Sequence, residues 1–390
     1  MKVLQVVPYF VPAWDYGGPV SSVYNMSKQL VKRGHEVTVY TTDALNAKSR
    51  LRERVEILDG IAVRRFRNFS NAMAYRYNMF LSPGIISATK KEISSFDIIH
   101  LHEYRTVQNV IISRYARICG TPYILQARGS LPRIITRKGL KKVYDNIWGY
   151  RLLKDASKVI AITQIETEQY KRMNVSEDKI EIIPNAIDLA EFGNLPSRGE
   201  FREKWGISNG HKIVLFLSRI HQIKGLDILI QAFTRLLKNT DDVKLVIAGP
   251  DDGYLLPLKE MIKESNIAES VILTGPLYGR EKLGAYVDAE VYILPSSYDI
   301  FGITVLEACA CGTPVIVTDR CGIADAIDNK AGICIPYDNQ ALFEAIRDIL
   351  GDNDRRQEFG RTGKSLVGDR FNWEKIGGQI EDMYLRCCER

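Results

Sequence analysis

The strongest constraint on the fold is a repeated alternation of short β-rich runs with helix-like stretches. The runs KVLQVVPYF, HEVTVYTT, DIIHLH, TPYILQA and KVIAIT are each separated from the next by a longer stretch of helical character. Short, continuously apolar strands that alternate with helices indicate a parallel sheet covered by helices on both faces. The first half of the chain is therefore predicted to form a doubly wound α/β domain.

The alternation breaks once and then restarts. The stretch KIEIIPNAIDLAEFGNLPSRGE is rich in Pro, Asn, Gly and Ser and then loses its apolar period. The runs KIVLFLSRI, VKLVIAGP, SVILTGPL, VYILPSS and TPVIVTD repeat the strand pattern after it. We predict two Rossmann-like domains, 1–185 and 200–370, with a linker at 186–199 and a C-terminal helix at 371–390. In such sheets, ligands bind at the carboxyl ends of the strands.

Composition narrows the class of protein. A chain of 390 residues with 45% hydrophobic and 26% charged residues is an ordinary globular protein, long enough for two domains. Its seven cysteines are odd in number and include no CxxC pair, which favours reduced thiols in the cytoplasm over a disulfide framework. No apolar stretch approaches the ~20 residues of a membrane span, and MKVLQVVPYF is typical of a strand rather than of a signal peptide.

The charge pattern singles out one region. The net charge of +6 is too small to indicate a nucleic-acid partner, and no zinc spacing or aromatic stacking motif supports one. Within Arg128–Lys158, however, cations alternate with apolar residues such as Leu140, Ile147 and Trp148. A basic stretch with interleaved aromatics indicates a membrane surface, although a solvated helix of a basic protein explains it equally well.

Three motifs resemble known sites but lack a required part. GRTGKS at Gly360–Ser365 has Glu358 where a P-loop needs its first glycine, so we predict a loop between C-terminal helices. DND at Asp352–Asp354 lies in a polar turn and is expected to cap a helix. His100 and His102 share one face of a strand, but two histidines without a third ligand make a poor metal site. The sequence therefore predicts no metal.

A glycine pair and two cations follow predicted strand ends. Gly17 and Gly18, in WDYGGPVSS, let the backbone approach a ligand just before a helix N-terminus that attracts anions. Arg219 and Lys224, in SRIHQIKGLD, follow the first strand of the second domain and precede a helix start. Two cations beside a helix N-terminus suit a diphosphate, with a surface ion pair as the alternative.

The stretch SSYDIFGITVLEACACGTPVIV holds two carboxylates on either side of a predicted helix start. Glu307 has only apolar neighbours in its helix, so its ionised carboxylate needs an internal partner or a ligand unless it faces solvent. Free N–H groups at the helix start can meet a phosphate, and Glu307 lies about 7.5 Å further along the axis. Asp299, the helix start and Glu307 thus suit the sugar, phosphate and ribose of a nucleotide-sugar. The predicted donor contacts at the helix start are Phe301, Gly302, Ile303 and Thr304.

As a set, these motifs resemble those of the family-4 retaining glycosyltransferases. The resemblance covers nearly the whole chain: the Gly-Gly loop, DIIHLH, IIPNAID, SRIHQIKGLD, VIAGP and an E-x7-E-type segment whose acids are Asp299 and Glu307. It implies an α/β GT-B fold, with two doubly wound Rossmann-like domains facing across a cleft. The first domain would bind the acceptor and the second the nucleotide-sugar, while the C-terminal helix would cross back onto the first.

The resemblance also implies roles for single residues. Asp299 would contact the donor sugar and Glu307 the ribose. Arg219 and Lys224 would neutralise the leaving diphosphate, and His102 would be the donor-site histidine. The remaining implied contacts are Gly249 and Leu277 with the donor, and Arg128 and Asn185 with the acceptor.

The chain departs from the family pattern at five positions. Asp299 replaces the usual Glu and shortens its reach by one methylene. Ala186 replaces the glycine of Pro-Asn-Gly, and Arg128 stands where many members have His. Cys321 and Asp325 stand where Gly and Glu are common. These departures leave the phosphate site intact and bear on the identity of the sugar and the acceptor.

The activity implied is transfer of a hexose from a UDP- or GDP-sugar with retention. No nucleophile stands out, which favours a front-face route stabilised electrostatically by Arg219, Lys224 and helix N–H groups, without a metal or another cofactor. The acceptor would be a saccharide or lipid-linked saccharide. We expect a cytoplasmic protein at the inner face of the plasma membrane, acting in cell-envelope polysaccharide or glycolipid synthesis.

Two other classes of function fit the same features. A GT-B epimerase or phosphorylase would share the two-domain frame. A non-catalytic module that binds sugar nucleotides is the second alternative, although binding alone does not need so many charged groups at the leaving phosphate.

Overall fold

The protein divides into two compact units. The computed structural model describes residues 1–77, 79–133 and 138–389. Met1–Asn185 together with the C-terminal residues from Trp373 onward form the first unit, and Ala186–Asn372 form the second. The stretch 186–199, predicted as a linker, groups with the second unit and contains a 3-10 turn at Leu189–Phe192.

The first unit is built on one sheet. Its strands are β1 (Lys2–Val6), β2 (Glu36–Thr42), β3 (Val55–Leu58), β4 (Ile61–Phe66), β5 (Ile98–His102), β6 (Tyr123–Gln126), β7 (Lys158–Ala161) and β8 (Ile180–Ile182). Their order is β3-β4-β2-β1-β5-β6-β7-β8. All neighbours pair in parallel except β3 and β4, which are antiparallel at one edge.

Helices connect the strands of this sheet. They are α1 (Gly18–Lys32), α2 (Asn71–Tyr77), α3 (Gly84–Glu92), α4 (Val107–Cys119), α5 (Lys138–Tyr144), α6 (Tyr150–Asp155) and α7 (Gln164–Arg172). A π-helical turn at Asp145–Gly149 joins α5 to α6. Two caps show how the sequence sets helix ends. The Thr106 hydroxyl accepts from the N–H of Asn109 to start α4, and Gly120 ends the same helix in the left-handed region.

The second unit repeats the architecture. Its strands are β9 (Lys212–Leu217), β10 (Val243–Ala248), β11 (Val271–Gly275), β12 (Val291–Leu294), β13 (Val315–Thr318) and β14 (Gly332–Ile335). They pair in parallel in the order β11-β10-β9-β12-β13-β14. The helices are α8 (Glu200–Trp205), α9 (Leu226–Leu236), α10 (Leu255–Glu264), α11 (Gly279–Asp288), α12 (Ile303–Cys311), α13 (Ala324–Ile327), α14 (Asn339–Gly351) and α15 (Asn353–Arg370).

The last helix belongs to the first unit. α16 (Trp373–Cys388) packs on α1 and against β5. Tyr384 of α16 carries a buried hydroxyl that accepts a hydrogen bond from the side-chain amide of Gln5 and lies 2.7 Å from Nδ1 of His100. α16 is thus tied into the polar core beneath β1 and β5.

Burial explains why the sequence pattern predicted this architecture correctly. Every residue of β5, β6, β12 and β13 is buried, as expected for parallel strands that helices cover on both faces. No helix within the described ranges is both long and apolar enough to cross a bilayer.

The structure also shows where the three incomplete motifs lie. GRTGKS lies inside α15, so the loop predicted there is wrong. Asp352 caps α15 by accepting from the N–H of Arg355 at 2.9 Å, as expected for DND. His100 and His102 sit side by side at the buried end of β5, with ring centroids 4.1 Å apart.

Candidate active site

Two of the predicted catalytic residues form an ion pair at the carboxyl edge of the second sheet. Lys224 ends the loop after β9, and Asp299 lies in the loop after β12. Nζ of Lys224 is 2.6 Å from Oδ2 of Asp299, and both side chains are largely shielded from solvent. The other carboxylate oxygen accepts from the N–H of Phe301 at 3.3 Å. The pair is therefore held in place by the backbone that leads into α12.

Arg219 lies apart from this pair. Its Nη1 is 2.6 Å from Oδ2 of Asp252, in the loop after β10, and both side chains are exposed. An exposed ion pair contributes little stability, so the guanidinium can exchange its partner at small cost. Sequence reasoning did not single out Asp252, although its place after a strand end is a usable signal.

The helix start predicted between the two acids is confirmed. Gly302 is in the left-handed region, with φ 78°, and α12 begins at Ile303. An added Cβ at Gly302 would lie 2.9 Å from Cδ2 of Leu294, so glycine is needed both for the backbone angle and for the space. The first N–H groups of α12 have no acceptor within the helix and are available to an anion.

Glu307 has the internal hydrogen-bonding partners that we expect for a carboxylate in an apolar helix. Its carboxylate oxygens lie 2.9 Å from Nζ of Lys282 and 3.0 Å from the hydroxyl of Tyr286. Lys282 and Tyr286 are four residues apart on α11 and so share one face. Burial alone would lower the pKa of Lys282, but the charge of Glu307 outweighs it and raises that pKa, which keeps the ammonium charged. The sequence reading missed both partners.

Gly249 and Leu277, two of the predicted donor contacts, both have a role in packing. An added Cβ at Gly249 would lie 1.8 Å from the carbonyl oxygen of Ser218, and the N–H of Gly249 donates to Gly275 at 2.9 Å. Gly249 thus lets the loop after β10 pass close to the loop after β9. The side chain of Leu277, in the loop after β11, is buried.

The glycine pair of the first unit sets the start of α1. Gly17 has φ 83° and directly precedes the helix, which begins at Gly18. Nothing lies within 4 Å of a Cβ added at Gly17, so backbone angle rather than space requires glycine there. Ser22, in the second turn of α1, forms hydrogen bonds with Arg128 and Asn185, which are two further predicted site residues.

Arg128 and Asn185 come together beside that helix start. Nη1 of Arg128 donates to the hydroxyl of Ser22 at 2.8 Å and to Oδ1 of Asn185 at 3.1 Å. Nε of Arg128 lies 3.3 Å from Nδ1 of His102. Burial lowers the pKa of Arg128 to about 10, with nearby carboxylates opposing the shift. The first unit therefore holds a half-buried cation at the carboxyl edge of its sheet.

His102 is a core residue rather than an open group. It is completely buried, and its Nε2 is 2.6 Å from Oε1 of Gln5. Burial, together with His100 and Arg128, holds its pKa well below the ordinary value, so the ring is neutral. The structure places it in the polar core of the first unit.

Two buried acids at the same edge were missed by the sequence reading. Glu166 accepts from the N–H groups of Gly129 at 2.6 Å and Ile162 at 2.8 Å. Glu103, which follows β5, accepts from the hydroxyl of Tyr9 at 3.0 Å. Burial raises the pKa of each carboxyl group to about 7. Within the described residues, no group of three or more His, Cys, Asp or Glu side chains is arranged to hold a metal ion.

Family models match both units. Residues 16–191 match the model described as glycosyltransferase family 4, and residues 197–366 match the model described as glycosyl transferases group 1. The chain belongs to glycosyltransferase family 4. This membership agrees with the resemblance drawn from the Gly-Gly loop, SRIHQIKGLD and the segment around Asp299 and Glu307.

Similar proteins match over nearly the full length of this glycosyltransferase. An uncharacterized glycosyltransferase of Methanocaldococcus jannaschii is 28% identical, over 95% of this chain and 96% of the relative. The alpha-monoglucosyldiacylglycerol synthase of Streptococcus pneumoniae is 29% identical, over 94% of this chain and 82% of the relative. A D-inositol 3-phosphate glycosyltransferase of Xylanimonas cellulosilytica is 23% identical, over 96% and 93%.

Solved structures confirm the predicted GT-B fold. The sucrose-phosphate synthase of Thermosynechococcus elongatus has a TM-score of 0.79 at 21% identity, covering 99% of both chains. The Anabaena protein HepE, solved in complex with UDP and glucose, has a TM-score of 0.77 at 18% identity, covering 98% of this chain and 99% of that one.

The raised pKa values of Glu103 and Glu166 predict how stability depends on pH. The folded state holds these protons more tightly than the unfolded chain, whose carboxyl groups titrate near 4.5. The contribution of these two groups to the free energy of unfolding is thus greatest below pH 4.5 and falls as pH rises towards 7, by up to about 1.4 kcal/mol per pH unit for each group. In urea titrations at pH 5, 6 and 7, we expect the free energy of unfolding of Glu166→Gln to fall less steeply with pH, by the contribution of one carboxyl group. An unchanged slope would contradict the raised pKa of Glu166.

Proposed function

We propose that this glycosyltransferase moves a hexose from a UDP- or GDP-sugar to a saccharide or lipid-linked saccharide, with retention of the anomeric configuration. The observation that carries the proposal is the arrangement along α12. The Lys224–Asp299 pair precedes the helix, free N–H groups mark its start, and Glu307 follows on its second turn. A sugar, a diphosphate and a ribose bound in that order would each meet a matching group.

Each group has a proposed role in transfer. Asp299 accepts hydrogen bonds from hydroxyls of the donor sugar, while Lys224 faces the diphosphate. As the bond between the anomeric carbon and the diphosphate oxygen breaks, negative charge grows on the leaving oxygen. Lys224, Arg219 and the N–H groups at Gly302–Thr304 stabilise that charge in a preorganised arrangement. We propose that these cations make a metal ion unnecessary.

The relatives support a hexose donor and leave several acceptors open. HepE is solved with UDP-glucose, which is a nucleotide-linked hexose. One relative is named for the synthesis of a glucosyldiacylglycerol and another for transfer to D-inositol 3-phosphate. Since these acceptors differ, cell-envelope polysaccharide or glycolipid synthesis is proposed as the setting rather than any single product.

A thermal-shift panel tests the donor site first. UDP-, GDP- and ADP-sugars are added to the purified protein with and without EDTA. A ligand that binds only the folded state stabilises it by about 2.7 kcal/mol at a hundred times its Kd. A shift from one nucleotide class that EDTA leaves unchanged supports the proposal, and NMR of the transferred sugar's anomeric proton then tests retention. The proposal fails if the folded protein responds to none of the panel.

Lys224→Ala should lower kcat about 10²–10³-fold, as expected for loss of a group that stabilises transition-state charge. The matched control is Arg280→Ala, because Arg280 also pairs with a carboxylate, at 2.7 Å from Glu200, but on an exposed face. Steady-state kinetics and a melting temperature are measured for both variants. An unchanged kcat in folded Lys224→Ala would rule out the assigned role.

Glu307 and Lys282 should act together on the ribose. Lys282→Met removes the cation that holds the Glu307 carboxylate, so we expect about tenfold weaker binding of the cognate nucleoside diphosphate, as for Glu307→Gln. The 2′,3′-dideoxy analogue of that nucleoside diphosphate lacks the diol, so calorimetry should show that it binds all variants equally weakly. Lys204→Met is the control, since Lys204 pairs with Glu281 of the same helix, α11, at an exposed position. Equal losses for both nucleotides would place Glu307 away from the ribose.

We also propose that α5, the π-helical turn and α6 form a membrane-binding surface. Leu140, Val143, Ile147 and Trp148 are exposed there, among exposed cations such as Lys142. This range contains two acids. Asp145 is fully buried and paired with Arg105 at 2.9 Å and Arg133 at 2.8 Å. Asp155, the last residue of α6, is exposed and paired with Arg117 and Arg151. The exposed side is therefore apolar and basic, which suits an anionic lipid headgroup layer.

Vesicle sedimentation tests this surface. We expect the protein to sediment with vesicles that contain phosphatidylglycerol and not with pure phosphatidylcholine. Leu140→Asp should reduce vesicle binding several-fold, because the substitution removes apolar area that would enter the membrane and adds a negative charge that anionic lipids repel. Leu256→Asp is the control, since Leu256 is 69% exposed against 68% for Leu140 but lies on α10 of the second unit. Equal sedimentation of both variants would exclude the proposed surface.

A further inference from the structure

A continuous hydrogen-bond chain runs through the core of the first unit, from α16 to Arg128. The hydroxyl of Tyr384 lies 2.7 Å from Nδ1 of His100 and 3.1 Å from the side-chain nitrogen of Gln5. Oε1 of Gln5 lies 2.6 Å from Nε2 of His102, and Nδ1 of His102 lies 3.3 Å from Nε of Arg128. The members that are fully buried are Tyr384, Gln5, His100 and His102. The hydrogen-bond chain thus joins the last helix to the carboxyl edge of the sheet.

Arg128 fixes the direction of every hydrogen bond in this chain. A guanidinium only donates, so Nδ1 of His102 must accept and carries no hydrogen. Burial holds the pKa of His102 well below its ordinary value, so the ring is neutral and its hydrogen is on Nε2. Nε2 therefore donates to Oε1 of Gln5, and the amide nitrogen of Gln5 donates to the hydroxyl of Tyr384. The reversed direction is excluded, because Nδ1 of His102 would then carry a hydrogen that points at a second donor.

The hydrogen-bond chain ends at His100, the first histidine of HLH. The oxygen of Tyr384 already accepts from Gln5, and its own hydrogen has Nδ1 of His100 as an acceptor at 2.7 Å. Burial and the charge of Arg128 hold the pKa of His100 well below its ordinary value, so this ring is neutral and its hydrogen is on Nε2. That nitrogen is buried and has no partner in the described part of the protein. Both histidines of the motif are therefore expected to carry their hydrogen on Nε2.

The guanidinium of Arg128 is held in one orientation at two of its nitrogens. Its backbone has φ 52°, which is uncommon for a residue with a side chain. Nε donates to His102, and Nη1 donates to Ser22 at 2.8 Å and to Asn185 at 3.1 Å. Nη2 is enclosed and has no partner among residues 1–77, 79–133 and 138–389. The third nitrogen thus remains for an oxygen atom of a ligand.

Attachment of α16 alone does not account for the hydrogen-bond chain. The helix already buries apolar side chains such as Ile380 and Met383. Its Glu381 pairs with Arg33 at 2.6 Å and lies 2.8 Å from Nε2 of His35, which fastens the helix beside the end of α1. A buried polar network that is almost fully satisfied mainly contributes rigidity and a unique arrangement. The hydrogen-bond chain therefore adds orientation to a helix that is already attached.

We infer that Tyr384 is a positioning residue that fixes the orientation of Arg128 through this hydrogen-bond chain. With the hydroxyl of Tyr384 in place, Gln5 presents its carbonyl oxygen to His102 and so favours the tautomer that accepts from Arg128. Without that hydroxyl, the amide of Gln5 can rotate and present its NH₂ group, which favours the tautomer that repels Nε of Arg128. The inference rests on the proposed function and on the acceptor contact that the resemblance implies for Arg128. It gives α16 a role in that site.

The tautomers of the two histidines test the inference without any substrate. In protein labelled with ¹⁵N at its five histidines, long-range ¹H–¹⁵N spectra distinguish a ring nitrogen that carries a hydrogen from one that does not. His100→Asn and His102→Asn assign the signals. We expect a hydrogen on Nε2 of both rings in the unmodified protein, and a mixture of tautomers for His102 in Tyr384→Phe. A hydrogen on Nδ1 of His102 in the unmodified protein would overturn the inference.

A double-mutant cycle tests whether Tyr384 acts through Arg128. Transfer from the donor that gives the thermal shift is measured with D-inositol 3-phosphate and with dioleoylglycerol vesicles as acceptor probes. Tyr384→Phe should lower kcat/KM for the acceptor about 3–10-fold, the net effect of one neutral hydrogen bond, and leave KM for the donor unchanged. In Arg128→Met the same substitution should cause no further loss. Tyr123→Phe is the matched control, because its buried hydroxyl donates to the carbonyl of Leu152 at 2.7 Å, outside the hydrogen-bond chain.

The outcomes separate this inference from the proposed function. If Tyr384→Phe and Tyr123→Phe lower transfer equally, or if the losses from Tyr384→Phe and Arg128→Met add, Tyr384 only supports the fold and the inference is wrong. If neither probe is glycosylated, the cycle is measured as the free energy of unfolding in urea, where the same lack of additivity is expected. If the protein binds no nucleotide-sugar, the proposed function fails, while the histidine tautomers still decide whether the hydrogen-bond chain fixes Arg128.

Discussion

The rest of this structure depends on a constraint of parallel sheets. Every parallel strand must return to the same end of the sheet through a covering helix, so the loops that leave the strands all collect at one edge. Both units obey this rule, and the charged residues of the candidate site follow strand ends. Lys224 comes after β9 and Asp299 after β12, while Glu103 and Arg128 come after β5 and β6. Helix starts at the same edge add oriented N–H groups, as at Gly302.

Buried charge is the second organising feature, and each acid is satisfied in a different way. Asp299 has a cation, Glu307 a cation and a phenol, and Glu166 two backbone N–H groups. Asp145 is held by two arginines beneath a surface that is otherwise basic. Because an unpaired carboxylate is costly to bury, these partners stabilise the positions of the acids as well as their charge. Glu103 accepts a hydrogen bond from the hydroxyl of Tyr9, and the charge of Arg128 opposes the rise in its pKa that burial causes.

Much of the fold followed from sequence pattern because burial leaves a local signature. Continuously apolar runs predicted β5 and β12, and the glycine of DIFGITV predicted the start of α12. Other boundaries failed where local signals compete. The Gly-rich stretch GRTGKS suggested a loop, yet it lies within α15, because Gly360 and Gly363 lie close to Gly312 and Cys309 of a neighbouring segment. Close packing of that kind requires glycine without breaking the helix, and sequence alone does not distinguish the two uses.

The sequence by itself determined the class of fold, the number of sheets, and the residue types at each strand end. These depend on apolar periodicity and on glycines near their own helix starts, which are local properties. Only the tertiary structure decided which of those residues meet. In the structure Lys224 pairs with Asp299, Arg219 pairs with Asp252, and Lys282 pairs with Glu307. His102 is buried in the core. Such pairings join residues 25 to 97 positions apart. Their energies arise only when the packed sheet brings those side chains within hydrogen-bonding distance.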